Sequence, residues 1–178
     1  MTIVVSDAGP LIHLSQIGKM SLLGKLFGVV LVTDRVKIEV FDEGSRLGYA
    51  DAQSIGAALD DGWLKIEAFP KRLVGSAAKI AEGENISRAD AETLLLAVDK
   101  KAELLADDKL LFDLAKMYRL RVLNAWTLLL EGLSRDYLKL AEIQDAIEQL
   151  GKKKFGLNAK QIQEILYAAR FIDKRLKQ

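Results

Sequence analysis

Cysteine is absent from the chain of 178 residues, and proline and histidine are scarce, with two and one residues. The absence of cysteine excludes disulfides, thiolate metal sites and cysteine nucleophiles, and it fits a reducing cytoplasm. The single histidine, His13, stands among apolar residues. We therefore expect a packed or surface helix residue there, which disfavours a serine–histidine–aspartate hydrolase. With so little proline and no low-complexity segment, long linkers are not expected.

The chain also lacks an excess of charge of either sign, because 26 lysines and arginines oppose 25 acidic residues. Such a balance lacks the basic surplus of many nucleic-acid binders, while a local basic patch remains compatible with it. No apolar run approaches the roughly 20 residues that span a bilayer. The N-terminus has no basic region before an apolar segment, as a signal peptide would. A cytoplasmic protein without membrane contact is expected.

What the chain does contain is a set of acidic residues where apolar or turn residues are usual. Asp7 and the pair Asp107-Asp108 each follow a short apolar run, Glu39 stands between Ile38 and Val40, and Asp90 opens a helical stretch. A buried carboxylate costs free energy unless it has a partner. Because hard cations take oxygen ligands, a divalent cation is the obvious shared partner.

Short apolar strands alternate with helical patterns along the chain, which predicts a parallel sheet with helices on both faces. The strands are expected at residues 3–5, 29–32, 63–69, 104–106 and 120–123. Ligands of such sheets bind beyond the carboxyl ends of the strands. Segment 71–89 is hard to interpret and is expected to be a mobile connection. The fold class predicted is α/β, a three-layer α/β/α domain over 1–134 with a helical C-terminal extension, 135–178, packed on it.

Four segments together resemble the PIN domain superfamily. They are Val4–Ile12, Val36–Val40, Ala89–Glu92 and Leu104–Asp108. Each motif is weak alone, but their order and spacing are similar to those of the prokaryotic ribonuclease branch of that superfamily. This branch includes the uncharacterised DUF3368-like group and the toxins of toxin–antitoxin pairs. The resemblance covers nearly the whole chain and implies a central parallel sheet.

The resemblance implies a ribonuclease that depends on Mg²⁺ or Mn²⁺, with RNA as its substrate. The catalytic acids carried over are Asp7, Glu39, Asp90 and Asp108, and the acidic doublet leaves open whether Asp107 or Asp108 is the fourth. Direct metal ligation is assigned to Asp7 and Asp108. Asp90 and Asp107 belong to the metal-binding set, and Glu39 and Asp90 act through water. Ser6 and Asn124 are candidates for positioning the phosphate, and Ser6 also for positioning Asp7.

Two positions depart from the pattern of that branch. Phe112 and its neighbours occupy the region in which a basic residue commonly follows the acidic doublet, and Asn124-Ala125-Trp126 replaces a small hydroxyl pair. These departures concern substrate binding and turnover more than the metal site. The resemblance also implies an antitoxin protein as a partner and self-association into a homodimer, for which the apolar C-terminal helices offer a face.

Simpler roles for the same residues remain open. Asp7 is compatible with a turn acid, Asp90 with a first-turn helix acid, and Asp107 or Asp108 with a helix cap. Glu92 is expected to be solvated. One alternative function is a PIN-like RNA- or protein-binding module with weak or no turnover. Another is a phosphohydrolase with Asp7 as nucleophile, although no aspartate follows at the two-residue spacing that such enzymes use.

Overall fold

A computed structural model of the chain describes residues 3–43, 50–152 and 157–178. The strands are β1 (Val4–Ser6), β2 (Val30–Val32), β3 (Leu64–Ile66), β4 (Glu103–Leu105) and β5 (Val122–Leu123). The α-helices are α1 (Ala8–Gln16), α2 (Ser21–Phe27), α3 (Asp34–Lys37), α4 (Ala50–Asp60), α5 (Val74–Gly83), α6 (Arg88–Lys100), α7 (Lys109–Met117), α8 (Ala125–Ser134), α9 (Leu140–Lys152) and α10 (Ala159–Leu176). A π-helix, Ile38–Glu43, continues α3, and a short 3₁₀ turn, Lys71–Leu73, precedes α5.

The five strands form one parallel sheet in the order β3-β2-β1-β4-β5. The chain first builds outward from β1 through β2 to β3, and then returns to the other side of β1 with β4 and β5. The direction of strand order therefore reverses between β1 and β4, where open α/β sheets bind their ligands. Ser6 pairs with Leu105, so the carboxyl ends of these two strands lie side by side. The predicted three-layer α/β/α fold is confirmed.

The central strand β1 is buried along its whole length because helices cover both faces of the sheet. Successive side chains of a strand point to opposite faces, and Val4 and Val5 accordingly belong to two different core clusters. Val4 packs in the larger cluster with helices such as α1, α2 and α8, whereas Val5 packs with α6 and α7. Fully burying a side chain of this size is worth about 1.5–3 kcal/mol. This explains why such short strands hold the sheet together.

The C-terminal helices share the larger core cluster. Ile143 and Ile147 of α9, and Ile165 and Ala169 of α10, are buried in the same cluster as Val4. These contacts support the packing of 135–178 on the rest of the domain, while the boundary at residue 134 stays a prediction. In the parts of the chain that the structure describes, no helix is both long and apolar enough to cross a membrane.

The expectation of a mobile connection over 71–89 is wrong for most of that segment. Residues 74–83 form helix α5, which packs along α6. Ala77 is fully buried against Ala91 and Leu95, with Ile80 beside them. The apolar residues at 77, 80 and 81 have helical spacing, but flanking glycines and charged residues hid that pattern in the sequence. The third strand was also predicted too long, since β3 covers only Leu64–Ile66.

Candidate active site

Asp7 lies directly after β1, at the point where the strand order reverses. Its backbone N–H donates to the Leu105 carbonyl at 2.9 Å, which ties it to the end of β4. Its carboxylate accepts a bond from the Gly9 N–H and caps α1, and only 7% of the residue is exposed. The buried Ser6 hydroxyl donates to the Asp7 carbonyl at 2.8 Å. Ser6 is thus placed to position Asp7, and its complete burial speaks against the predicted contact with substrate.

The acidic doublet after β4 divides into two different environments. The Asp107 side chain is 4% exposed, and one of its oxygens accepts the Ala125 N–H at 2.8 Å while the other meets His13 Nδ1 at 2.7 Å. Asp108 is exposed and caps α7, with Oδ1 accepting the Leu111 N–H at 2.9 Å. Gly9 lies against Asp107, since a Cβ at Gly9 would stand 3.2 Å from the Asp107 Cβ.

Asp90 is positioned by a helix start that the sequence predicts correctly. Ser87 and Asp90 form a capping box, in which the Asp90 N–H donates to the Ser87 hydroxyl and the Ser87 N–H donates to the Asp90 carboxylate. Asp90 is half-buried, whereas Glu39 is exposed in the π-helix after α3. Asn124 caps α8 with its side-chain oxygen, which accepts from the N–H and the hydroxyl of Thr127.

A single cavity of about 910 Å³ gathers these side chains. Its acidic lining consists of Asp7, Glu39, Asp90, Asp107, Asp108 and Asp113. Asn124 also lines it, but Ser6 does not. The cavity opens at the carboxyl ends of β1 and β4, as the topology requires. All the acids that the sequence singled out therefore face one space, although they come from distant segments.

The chain is similar to a known protein family and to a solved structure. The family model DUF3368, described as PIN domain, matches residues 3–170. The chain belongs to the PIN domain family. The crystal structure of PAE2754 from Pyrobaculum aerophilum superposes on this PIN domain with a TM-score of 0.54 and 18% sequence identity, over 73% of this chain and 88% of that chain. No curated protein matches the sequence with significance.

PIN domains are generally nucleases, and they typically use divalent metal ions. The surroundings of Asp7 indicate that the residues of this PIN domain suit such an ion. Burial and the negative charges of Asp90 and Glu39 raise the pKa of Asp7 to about 7, against the N–H groups of Ala8 and Gly9, which lower it. A buried carboxylate that faces other carboxylates is stabilised by a nearby cation. The donors are also all oxygens, which hard cations prefer.

The carboxylates are nevertheless not gathered into a ready-made chelate. Within residues 3–43, 50–152 and 157–178, no group of three histidine or acidic side chains could hold a metal ion as it stands. Like charges repel one another, and several of the acids are held by their own helix caps. The donor set thus fits a divalent ion in kind, and binding would require side chains to move towards one another.

Sequence reasoning missed two charged contacts of this PIN domain. His13 lines the cavity and pairs with Asp107, a contact across 94 positions that no local signal could reveal. Glu92 was predicted to be solvated, but it is 6% exposed and accepts from Nε of both Arg35 and Arg88 at 3.0 Å. The spacing of four between Arg88 and Glu92 was a usable signal, since such pairs are neighbours on a helix.

Proposed function

We propose that this PIN domain is a ribonuclease that cleaves RNA phosphodiester bonds and depends on Mg²⁺ or Mn²⁺. The observation that carries the proposal is the cavity at the ends of β1 and β4, which is lined by acids from separate segments and in which burial, and then the acidic neighbours, raise the pKa of Asp7. Family membership supports the nuclease class, and the acidic lining of the cavity supports its location in this chain.

The proposed roles follow from burial and hydrogen bonding. Asp7, Asp90 and Asp108 would hold the ion, because each combines a place on the cavity wall with a backbone that its helix cap fixes. Asp107 has both oxygens engaged, so we assign it to positioning His13 and the start of α8. Glu39 is exposed and would orient the attacking water. When bound, the ion would neutralise the scissile phosphate and lower the pKa of a water.

Asn124 fits a phosphate contact as well as a helix cap. Its side-chain oxygen is used by Thr127, so the amide NH₂ is the end that would donate to a phosphate oxygen. The N-terminus of α8 adds a favourable field for an anion beside it. In this proposal the bonds to Thr127 hold the Asn124 side chain in place, so that its amide NH₂ is oriented towards the phosphate.

The decisive test is cleavage of single-stranded RNA by purified protein with and without Mn²⁺. Cleavage is expected with Mn²⁺ and not in EDTA, and Asp7→Asn should lower the rate by about 100-fold or more, as loss of a key electrostatic group does. Asp60→Asn is the matched control, because it makes the same charge change at an exposed residue at the end of α4. Equal rates for Asp7→Asn and the wild-type protein would refute the site.

A second candidate function is an RNA- or protein-binding module with weak or no turnover. Phe112 on the cavity wall favours it, since the resemblance leads one to expect a basic residue in that region. Ala125 likewise stands where a hydroxyl was expected. RNA binding that saturates normally, together with no cleavage in Mg²⁺ or Mn²⁺, would support this module against the enzyme.

The proposal extends to a toxin of a toxin–antitoxin pair, with an antitoxin protein as partner, and to a homodimer. The homodimer is supported by the exposed aromatic residues Tyr167 and Phe171 of α10, which are 74% and 55% exposed and stand four positions apart. Such neighbours on one helix face form a continuous apolar strip. Light scattering should give twice the chain mass, and Tyr167→Glu should return the mass of one chain.

Growth arrest on induced expression tests the toxin role. Arrest by the wild-type chain and normal growth with Asp7→Asn would support it, whereas equal growth of both strains would contradict it.

A further inference from the structure

Part of the cavity lining is apolar, and the proposed metal chemistry does not use it. Ile12, Phe112, Trp126 and Leu157 line it, and each of these side chains is half-buried. A metal ion and a phosphate gain nothing from apolar surface. These four residues, which we call the apolar wall, therefore have no role in metal binding and would suit an apolar part of a substrate.

Phe112 reaches the cavity from α7, one turn after Asp108. Its N–H donates to the Asp108 carbonyl at 2.9 Å, so ring and acid are fixed to the same helix start. The Lys116 ammonium lies over one face of the ring, 4.5 Å from its centroid, so a base would stack on the opposite face. An aromatic ring beside a cation suits a nucleotide, since a base stacks on rings and a phosphate pairs with cations.

Trp126 reaches the same cavity from the start of α8. It follows Ala125, whose N–H donates to the Asp107 carboxylate at 2.8 Å, so Trp126 too is attached to the surroundings of the acidic doublet. Part of its ring packs on the larger core cluster, which holds it in place. A rigid aromatic side chain loses little entropy when a flat ligand binds.

The charges of the cavity lining favour an uncharged contribution to RNA binding. Six acidic side chains line it, whereas the lysine of its described lining, Lys109, is 93% exposed and pairs with Asp113. A polyanion therefore gains little electrostatic attraction from this lining itself. Contact of bases with the apolar wall is an attraction that the carboxylates do not oppose.

We infer that the apolar wall is a nucleobase subsite, on which an unpaired base next to the scissile phosphate stacks against Phe112 and Trp126. This inference rests on the proposed nuclease function and adds to it a contact between an unpaired base and two named aromatic residues. A paired base would first have to leave its duplex, which costs free energy. Recognition by stacking is also tolerant of base identity.

Intrinsic fluorescence tests the inference, because the chain has two tryptophans in different places. Trp63 lines a separate pocket with Met20 and Ser54 and does not line the acidic cavity. The probe protein is the full chain with Trp63→Phe, which leaves Trp126 as the reporter, and Asp7→Asn, which prevents cleavage. Its ligands are a short single-stranded RNA, the same RNA with abasic positions, and a blunt duplex, each titrated in Mg²⁺.

The single-stranded RNA should quench Trp126 and bind saturably. Both abasic RNA and Phe112→Leu should weaken binding by about 5- to 150-fold, the range for loss of one stacked base. The duplex should leave the fluorescence unchanged. Phe27→Leu is the matched control, because it makes the same change at a half-buried ring at the end of α2 that does not line the cavity, and it should not alter affinity.

Equal affinity for normal and abasic RNA would overturn the subsite. The absence of any RNA binding would also overturn it and would favour a protein segment as the ligand of the apolar wall. These outcomes are separable from those of the cleavage assay. Metal-dependent cleavage with equal affinity for normal and abasic RNA would support the nuclease function and reject the nucleobase subsite. If intact bases are needed for quenching but the protein that keeps Asp7 does not cleave RNA, the subsite is supported and the protein is an RNA-binding module without nuclease activity.

Discussion

At Asp7 the folded protein holds a carboxylate in surroundings that favour its protonated form. Its pKa is raised from 3.8 to about 7, first by burial and then by its acidic neighbours. The folded chain therefore binds more protons at this group than the unfolded chain between about pH 4 and pH 7. Stability from this group is highest below that window and is lost as the pH rises through it. The carboxylate needed for a metal site thus costs the metal-free protein stability at neutral pH.

Asp7→Asn should accordingly stabilise the metal-free protein at pH 8. Asparagine keeps an acceptor for the Gly9 N–H and removes the buried charge, so we expect a gain of about 1–3 kcal/mol in unfolding free energy, or several degrees in Tm. Thermal melts in EDTA at pH 8 and pH 4.5 measure it. The gain should shrink towards zero at the lower pH, and a variant less stable than the wild type at pH 8 would contradict the argument.

The acidic doublet offers a matched pair of variants at neighbouring positions. Asp108→Asn keeps an effective helix cap for Leu111, so stability should hold while Mn²⁺-dependent cleavage and the Mn²⁺-induced rise in Tm disappear. Asp107→Asn loses its charge-assisted bond with His13 and should cost about 1–2 kcal/mol, while the Mn²⁺-induced rise in Tm remains. Loss of that rise in Asp107→Asn alone would reverse the two assignments.

The helix starts and strand ends at the carboxyl edge of the sheet are features that the local sequence predicts. The capping box of Ser87 and Asp90 was readable because its partners are three residues apart and its physics is confined to one helix start. The strand β1 was readable from a run of β-branched residues that ends at Asp7. In both cases the position of an acid followed from the local element that carries it.

Contacts between distant elements were not readable in the same way. His13 meets Asp107, and Arg35 meets Glu92 across 57 positions, because the sheet brings their elements together. A single sequence contains no measure of that proximity, so His13 appeared to be an ordinary helix residue and Glu92 a solvated one. Helix α5 was missed for a related reason, since its burial depends on α6, which it precedes in sequence.

The start of α8 supports a prediction that separates a cap from a substrate contact. Asn124→Ala should cost about 1 kcal/mol, because the Thr127 N–H loses its acceptor. Asn124→Ser should restore the stability, since serine caps well, but it should not restore RNA affinity, since it lacks the amide NH₂. Tm and RNA titration measure the two effects. Full affinity in Asn124→Ser would assign Asn124 to capping alone.

On the scale of the whole molecule, the sheet and the C-terminal helices are one hydrophobic structure. The cluster that contains Val4 and Val32 also contains Ile143, Leu150 and Ile165. Removing 135–178 would expose this face of the core, at about 25 cal/mol for each Å² of apolar surface returned to water. Because a domain is stable by only about 5–15 kcal/mol, the loss of several fully buried side chains exceeds what the remaining chain can tolerate.

A chain that stops after Ser134 should therefore fail to fold cooperatively, with no sharp thermal transition by circular dichroism and with exposed apolar surface that binds a hydrophobic dye. The control is a chain that stops after Ile172, which keeps Ile165 and Ala169 in the core and removes mostly exposed residues. It should melt within a few degrees of the full chain. A sharp transition in the shorter chain would mean that residues 1–134 suffice as a domain, and that folding does not require the packing of the C-terminal helices on the core.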